Sequence, residues 1–201
     1  TGALAQVVAV SWDESQARRL QQGLDAIDRA GRELVRLDAQ RLAKMNMQQR
    51  LDLLEEKIVH FTENLLHSKC FSIRLLDRKT NKLELVIAGG GEDLSLDAEL
   101  FASVEGSGIS GYVAATGRSY ICHDVSQDDR YLPGLKGAKS CLTVPLQMHD
   151  EVVGTFNVES DEVGAFGENH RQLAEIFARY VAMALNILDL LIVERYAASG
   201  Q

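Results

Sequence analysis

Residues Gly106 to Ser160 read GSGISGYVAATGRSYICHDVSQDDRYLPGLKGAKSCLTVPLQMHDEVVGTFNVES. The second half of this stretch decides the fold class. Ser140 to Met148 and Val152 to Glu159 are runs rich in β-branched and apolar residues, and only the tight turn His149-Asp150-Glu151 separates them. So short a link forces the two strands to pair antiparallel. Upstream, Ser110 to Thr116 predicts a small-residue helix capped by Ser110 and stopped by Gly117. Ser119 to Cys122 predicts a short strand, and Asp124 to Lys139 a long polar connection holding Tyr131-Leu132-Pro133.

Working outward toward the N-terminus, Cys70 to Asp77 places Phe71, Ile73 and Leu75 on one side of a strand. The turn-like DRKTNK follows, and Leu83 to Ala88 reads as the second strand of a hairpin. Gly89, Gly90 and Gly91 lack the spacing of a phosphate-binding loop and read as a hinge. Glu92 to Glu105 predicts an acidic loop or short helix over the sheet.

From Glu14 to His67 there is no proline, and Leu51, Leu54, Ile58, Phe61 and Leu65 step by three and four as a heptad seam. Ile27, Ala30, Leu34 and Leu37 keep that spacing, but Arg41 and Lys44 interrupt it, so a long helix with a slip or break near 38–46 is expected. Leu4 to Val10 is compatible with a strand. On the far side, Leu173, Phe177, Tyr180, Ala184, Ile187 and Leu191 continue the same spacing in a helix running to about Tyr196. Two such seams bracketing the sheet predict a homodimer held by the terminal helices. The expected organisation is a remnant or tail at 1–12, a linker helix at 13–50, the domain at 51–195 and a tail at 196–201. The opening Thr and the closing Ala-Ala-Ser-Gly-Gln suggest a piece of a longer polypeptide.

With 201 residues and 46% hydrophobic content, the chain suffices for one core of ordinary domain size. Its net charge of −8 argues against a nucleic-acid surface. Asp13 to Lys69 carries ten acidic and ten basic residues, so the whole deficit falls on the remainder. Such a mixed helix is a solvated or coiled-coil face. No apolar run nears the roughly 20 residues of a bilayer span, and no secretory signal opens the chain, so a soluble cytoplasmic protein without membrane insertion is expected. Cys70, Cys122 and Cys141 are too few and too irregularly spaced for a disulfide framework or zinc knuckle, and reduced thiols are expected. His60, His67, His123, His149 and His170 show no metal-ligand spacing.

Gly108-Ile109-Ser110-Gly111-Tyr112-Val113-Ala114, Asp124-Val125, Asp129-Arg130-Tyr131, SCLTVPL from Ser140, VGTFNVES from Val153 and Ala165-Phe166 occur in the order of a GAF domain, which this chain resembles from about Leu54 through its C-terminal helix. That family is the small-ligand sensor module of bacterial signalling proteins and cyclic-nucleotide phosphodiesterases. The resemblance implies an α/β (α+β) fold: a six-stranded antiparallel sheet with helices on one face, GAF/PAS-like, flanked by long N- and C-terminal helices. It further implies a loop-covered pocket on the other face and a non-catalytic sensor role with no bound cofactor, for an unidentified small molecule.

Ligand-binding candidates are Asp129, Arg130 and Tyr131 on the loop, with Cys141, Thr143, Asn157 and Glu159 on the strands beneath. Dimer-seam candidates are Leu51, Leu54, Ile58, Phe61, Leu65, Leu173, Phe177, Tyr180, Ile187 and Leu191. Three known GAF chemistries meet departures. Free methionine sulfoxide reductases place a cysteine where this chain has Ser110, and no cysteine occurs in Asp124 to Ala138. Bilin binders place one shortly before a Tyr-Leu pair, yet Ser126 to Arg130 precede Tyr131-Leu132 here. The lysine and Asp-Glu pair of the cyclic-nucleotide motif are missing after Asn157. A ligand-free dimerisation or docking module and, further back, a thiol reductase stand as alternatives.

Overall fold

The computed structural model describes residues 18, 21–29, 31–32, 44–68, 70–90, 98–134 and 137–187. The expected strand at Leu4 to Val10, the seam residues Ala30, Leu34, Leu37 and Leu191, the expected helix beyond residue 187 and the expected tail at 196–201 lie outside the described residues.

Residues 21–29 and 31–32 are helical. A new helix, α1 (Met47–Leu65), then starts behind Asn46. Asn46 Oδ1 accepts from the Gln49 amide while Gln49 Oε1 accepts from the Asn46 amide, both at 2.9 Å. This reciprocal capping box satisfies backbone donors that have no partner within the helix. It falls within the 38–46 interval where the seam is interrupted.

Six strands follow: β1 (Cys70–Asp77), β2 (Lys82–Gly89), β3 (Leu100–Phe101), β4 (Tyr120–Cys122), β5 (Ser140–Met148) and β6 (Glu151–Ser160). They form one sheet in the order β3-β2-β1-β6-β5-β4, every neighbouring pair antiparallel. The two-residue β3 sits where only a loop or short helix was expected. The β5–β6 link is also shorter than its sequence suggests: Met148 pairs with Glu151, leaving a two-residue turn. His149 and Asp150 have φ of 48° and 65°. Positive φ at both central positions is the type I′ geometry whose twist suits a tight hairpin.

Between β3 and β4 lies α2 (Gly108–Thr116). Its start differs from expectation, because Ser107 and not Ser110 precedes the first turn. The Ser107 hydroxyl makes no cap; it accepts from the Phe101 amide at 3.3 Å and ties the helix to β3. The stop is the expected one: Gly117 takes φ 66°, and its amide bonds Val113 O at 2.8 Å. A 3-10 turn (Val125–Gln127) opens the polar connection, and α3 (Glu168–Ile187) closes the described fold.

Alternation divides the sheet into two unlike faces. Phe71, Ile73, Leu75, Leu142, Val144, Leu146, Phe156 and Val158 point to one of them and join one buried cluster with Leu54, Ile58 and Phe61 of α1 and Phe177, Val181 and Leu185 of α3. Phe61 and Phe177 stack with ring centroids 3.4 Å apart and 7° between planes, and Phe156 leans on Phe177 at 6.1 Å. Each such side chain contributes about 1.5–3 kcal/mol by leaving water. The N-terminal helical residues join this face: Ile27 is fully buried, Gly23 abuts Leu173, and Gly31 abuts the Tyr180 ring. Those contacts run in step along both segments, so the two lie parallel, and a side chain at Gly31 would collide with the ring.

The described seam residues, Ile187 excepted, therefore pack within the chain. Leu54, Ile58, Phe61, Leu173 and Phe177 are core, while Leu51, Leu65 and Tyr180 are half-buried against it. The Tyr180 hydroxyl also donates to Asp28 Oδ1 at 3.4 Å. Ile187 alone among the described seam residues is exposed, at 40%.

Candidate functional site

The opposite sheet face carries the polar members of the same strands. Ser72 and Arg74 on β1, Thr143 on β5, and Thr155 and Glu159 on β6 are all buried, and Asn157 is half-buried. They are covered by α2, β3 and the segment Tyr131–Gly134. Two adjoining hollows of about 40 Å³ each lie between floor and cover, both bounded by Leu100, Ser110, Leu132, Asn157 and Glu159. Gly108, Ile109, Tyr131 and Cys141 complete one; Ser72, Arg74, Ala98, Pro133 and Gly134 complete the other.

Hydrogen bonds fix the floor. Thr143 and Asn157 are register partners, and the Thr143 hydroxyl donates to Asn157 Oδ1 at 2.8 Å. The Arg74 guanidinium donates to Leu83 O at 3.2 Å, and burial lowers its pKa. The Glu159 carboxylate accepts from the Tyr131 hydroxyl at 3.4 Å, and the Gly134 amide donates to that same hydroxyl at 3.4 Å. A Cβ on Gly134 would stand 2.7 Å from Glu159 Oε1, so glycine is what allows the loop so close to the carboxylate. Burial first, and then the Glu159 charge, push the Tyr131 phenol far above its usual range. Tyr131 is thus a neutral hydrogen-bond donor at any physiological pH.

The loop candidates divide. Tyr131 reaches the floor, and it meets Cys141, Asn157 and Glu159 around one hollow. Thr143 is fully buried behind Asn157. Arg130 turns away and lies 5.2 Å over the Tyr112 ring, and Asp129 is exposed. Neither lines a hollow. Sequence reasoning passed over Ser72 and Arg74, although their polar places between Phe71, Ile73 and Leu75 mark the face opposite the core. It also passed over Ser110 as a wall residue, having assigned it to a cap, and over Gly134.

Larger grooves, of about 770 Å³ and 560 Å³, open elsewhere: one between Gln22, His67 and His170, the other between the β5–β6 turn and Arg179, Met183 and Ile187. Neither touches the polar floor, which is the better candidate because buried polar groups converge there. Among the described residues no cluster of three or more His, Cys, Asp or Glu could hold a metal ion, and no helix is long and apolar enough to cross a membrane.

Comparison with known proteins agrees with this fold. The curated relative "Probable 3',5'-cyclic phosphodiesterase pde-5" of Caenorhabditis elegans is 24% identical over 148 residues, covering 68% of this chain but 20% of the relative. The chain thus spans about a fifth of that protein's length. The GAF domain of an Acinetobacter phosphoenolpyruvate-protein phosphotransferase superposes with a TM-score of 0.64 at 20% identity, covering 83% of this chain and 93% of that one. The free methionine-R-sulfoxide reductase of Neisseria meningitidis, solved with its substrate, gives 0.60 at 16% identity, covering 74% and 83%. At such identities the structural likenesses speak for the fold alone. The family profile described as the GAF domain matches residues 48–186, from the first turn of α1 almost to the end of α3. The chain belongs to the GAF domain family.

Proposed function

We propose that the chain is a regulatory, non-catalytic GAF sensor domain of a multidomain cytoplasmic signalling protein. It takes a small molecule between the polar floor and the Tyr131–Gly134 segment, and relays occupancy through helices paired in a homodimer. One observation carries the reading. Buried Glu159, Arg74, Thr143 and Ser72, with half-buried Asn157, gather on the sheet face that α1 and α3 leave uncovered, under a loop joined to them by Tyr131. Polar groups placed in a core cost stability, and a floor that presents several of them under a hydrogen-bonded loop is built to recognise a ligand. The relay needs little: a coupling of about 1–3 kcal/mol gives several-fold to hundred-fold regulation.

A ligand-library melting screen backed by native mass spectrometry tests this, with cyclic nucleotides among the compounds. A ligand at a hundredfold its Kd adds about 2.7 kcal/mol of stability, and Glu159→Gln is expected to diminish that gain. If no compound raises the melting temperature and no bound mass is found, the sensor reading fails. A monomer in light scattering at micromolar concentration would count against the relay.

The size of the hollows favours a second reading. Each measures about 40 Å³, close to one water's share of liquid volume, about 30 Å³, and Leu132 packs over Gly108 in the wall of one of them. A ligand-free dimerisation or docking module would look the same, and a blank screen with an intact dimer selects it. Methionine sulfoxide turnover abolished by Cys141→Ser would instead establish a thiol reductase. Ser110, where that family has a cysteine, weighs against it.

A further inference from the structure

Pairing register puts the chain's three thiols and one carboxylate in a row across four neighbouring strands. Cys70 on β1 faces Glu159 on β6, Glu159 faces Cys141 on β5, and Cys141 faces Cys122 on β4. Of the thiols, Cys122 and Cys141 alone are direct partners; Cys70 is separated from Cys141 by the whole width of β6. Cys122 and Cys141 are buried together beneath Ile109 and Val113 of α2.

We propose that Cys122 and Cys141 are a redox site, closing to a reversible intrachain disulfide when the chain meets hydrogen peroxide. Directly opposed residues of an antiparallel pair have Cα atoms roughly 4.5–5.5 Å apart, inside the roughly 4.4–6.8 Å window of natural disulfides. The backbone spacing of this register therefore suits the bond. Cys141 also lines one of the small hollows. Both thiols lie in one buried cluster, and the influence of each on the other holds Cys122 below the usual thiol range against burial and, together with burial, holds Cys141 above it. Cys122 is accordingly the better attacking thiolate.

The chemistry balances with peroxide as the only co-reactant. The Cys122 thiolate attacks one peroxide oxygen, the O–O bond breaks, and the departing hydroxide takes up a proton, giving a sulfenic acid and water. The Cys141 sulfur then displaces the sulfenic hydroxyl, which leaves as a second water with the Cys141 proton. Two thiols are oxidised by two electrons in all, and one peroxide is reduced. The bond would fasten the three-residue edge strand β4, which leads directly into the 3-10 turn and the Tyr131 segment, to β5. The inference is independent of whether a small molecule occupies the site.

The test treats the reduced full chain with hydrogen peroxide, blocks remaining thiols with N-ethylmaleimide in denaturant, and maps the digest by mass spectrometry. An intrachain Cys122–Cys141 peptide that dithiothreitol removes is expected, with Cys70 still maleimide-labelled. Cys70→Ser should form the cross-link undiminished, and the oxidised chain should melt at a higher temperature than the reduced one. The proposal is overturned if Cys122 and Cys141 stay labelled while Cys70 is oxidised, if they end as separate sulfinic or sulfonic acids, or if the cross-link joins two chains.

Discussion

Replacing Phe61 by alanine distinguishes a seam spent inside the chain from one that joins two chains. Phe61 is 2% exposed, its ring stacked on Phe177 and so tied to Phe156 of the sheet. Truncating a buried phenylalanine costs about 3–5 kcal/mol, the transfer of the ring plus the cavity it leaves. The upper part of that range is expected here, because the cavity is walled by two helices and a sheet that cannot collapse together. With a urea slope of about 1–3 kcal/mol per molar, the unfolding midpoint should fall by roughly 2 M. If the loss is intrachain, that fall is the same at low and high protein concentration. Phe177→Ala should cost a similar amount, and the double variant less than the sum by about 0.5–1.5 kcal/mol, the coupling of an aromatic pair. A loss below about 1 kcal/mol, or one that disappears as protein concentration rises, would refute the assignment of Phe61 to the chain's own core.

Two further outcomes follow from backbone and charge. Gly117→Ala forces a side chain into the left-handed conformation that ends α2 and should cost about 1 kcal/mol, read as a lowered melting temperature; an unchanged one would show that the helix ends otherwise. Burial, and then the charge of His67, hold the His170 pKa below that of an unfolded histidine, about 6.5. Between those two values the unfolded chain binds more protons, so stability is full above pH about 6.5 and falls as the pH drops through the folded value. His170→Asn should flatten that acid slope in urea titrations, and an unaltered slope would remove His170 as its source.

The sheet was legible where local pattern and turn chemistry agree. Ser140–Met148 coincides with β5 to the residue, and β1 coincides with Cys70 to Asp77, because alternating apolar residues between polar turns leave little choice. β3 was hidden: two residues in an acidic stretch have no periodicity, and they are a strand only because Lys82 and Leu83 offer an edge. The spacing of Leu54, Ile58 and Phe61 correctly marks one apolar helix face, but a three-and-four repeat does not say whether that face meets a partner or its own sheet. The candidate site was half legible. Glu159, Asn157 and Tyr131 stand in recognisable motifs, whereas their closeness to Arg74, and the opposition of Cys122 and Cys141, follow from pairing between strands far apart in sequence.

The two unlike faces of the sheet have a practical consequence for altering the protein. The residues that make it fold and those that would choose a ligand alternate along the same strands, so they sit side by side in sequence yet act almost independently. A combinatorial library at Ser72, Arg74, Thr143, Asn157 and Glu159 leaves every member of the Phe71–Phe156–Phe177 core untouched. New recognition can be sought there by mutating alternate positions, with the scaffold held constant.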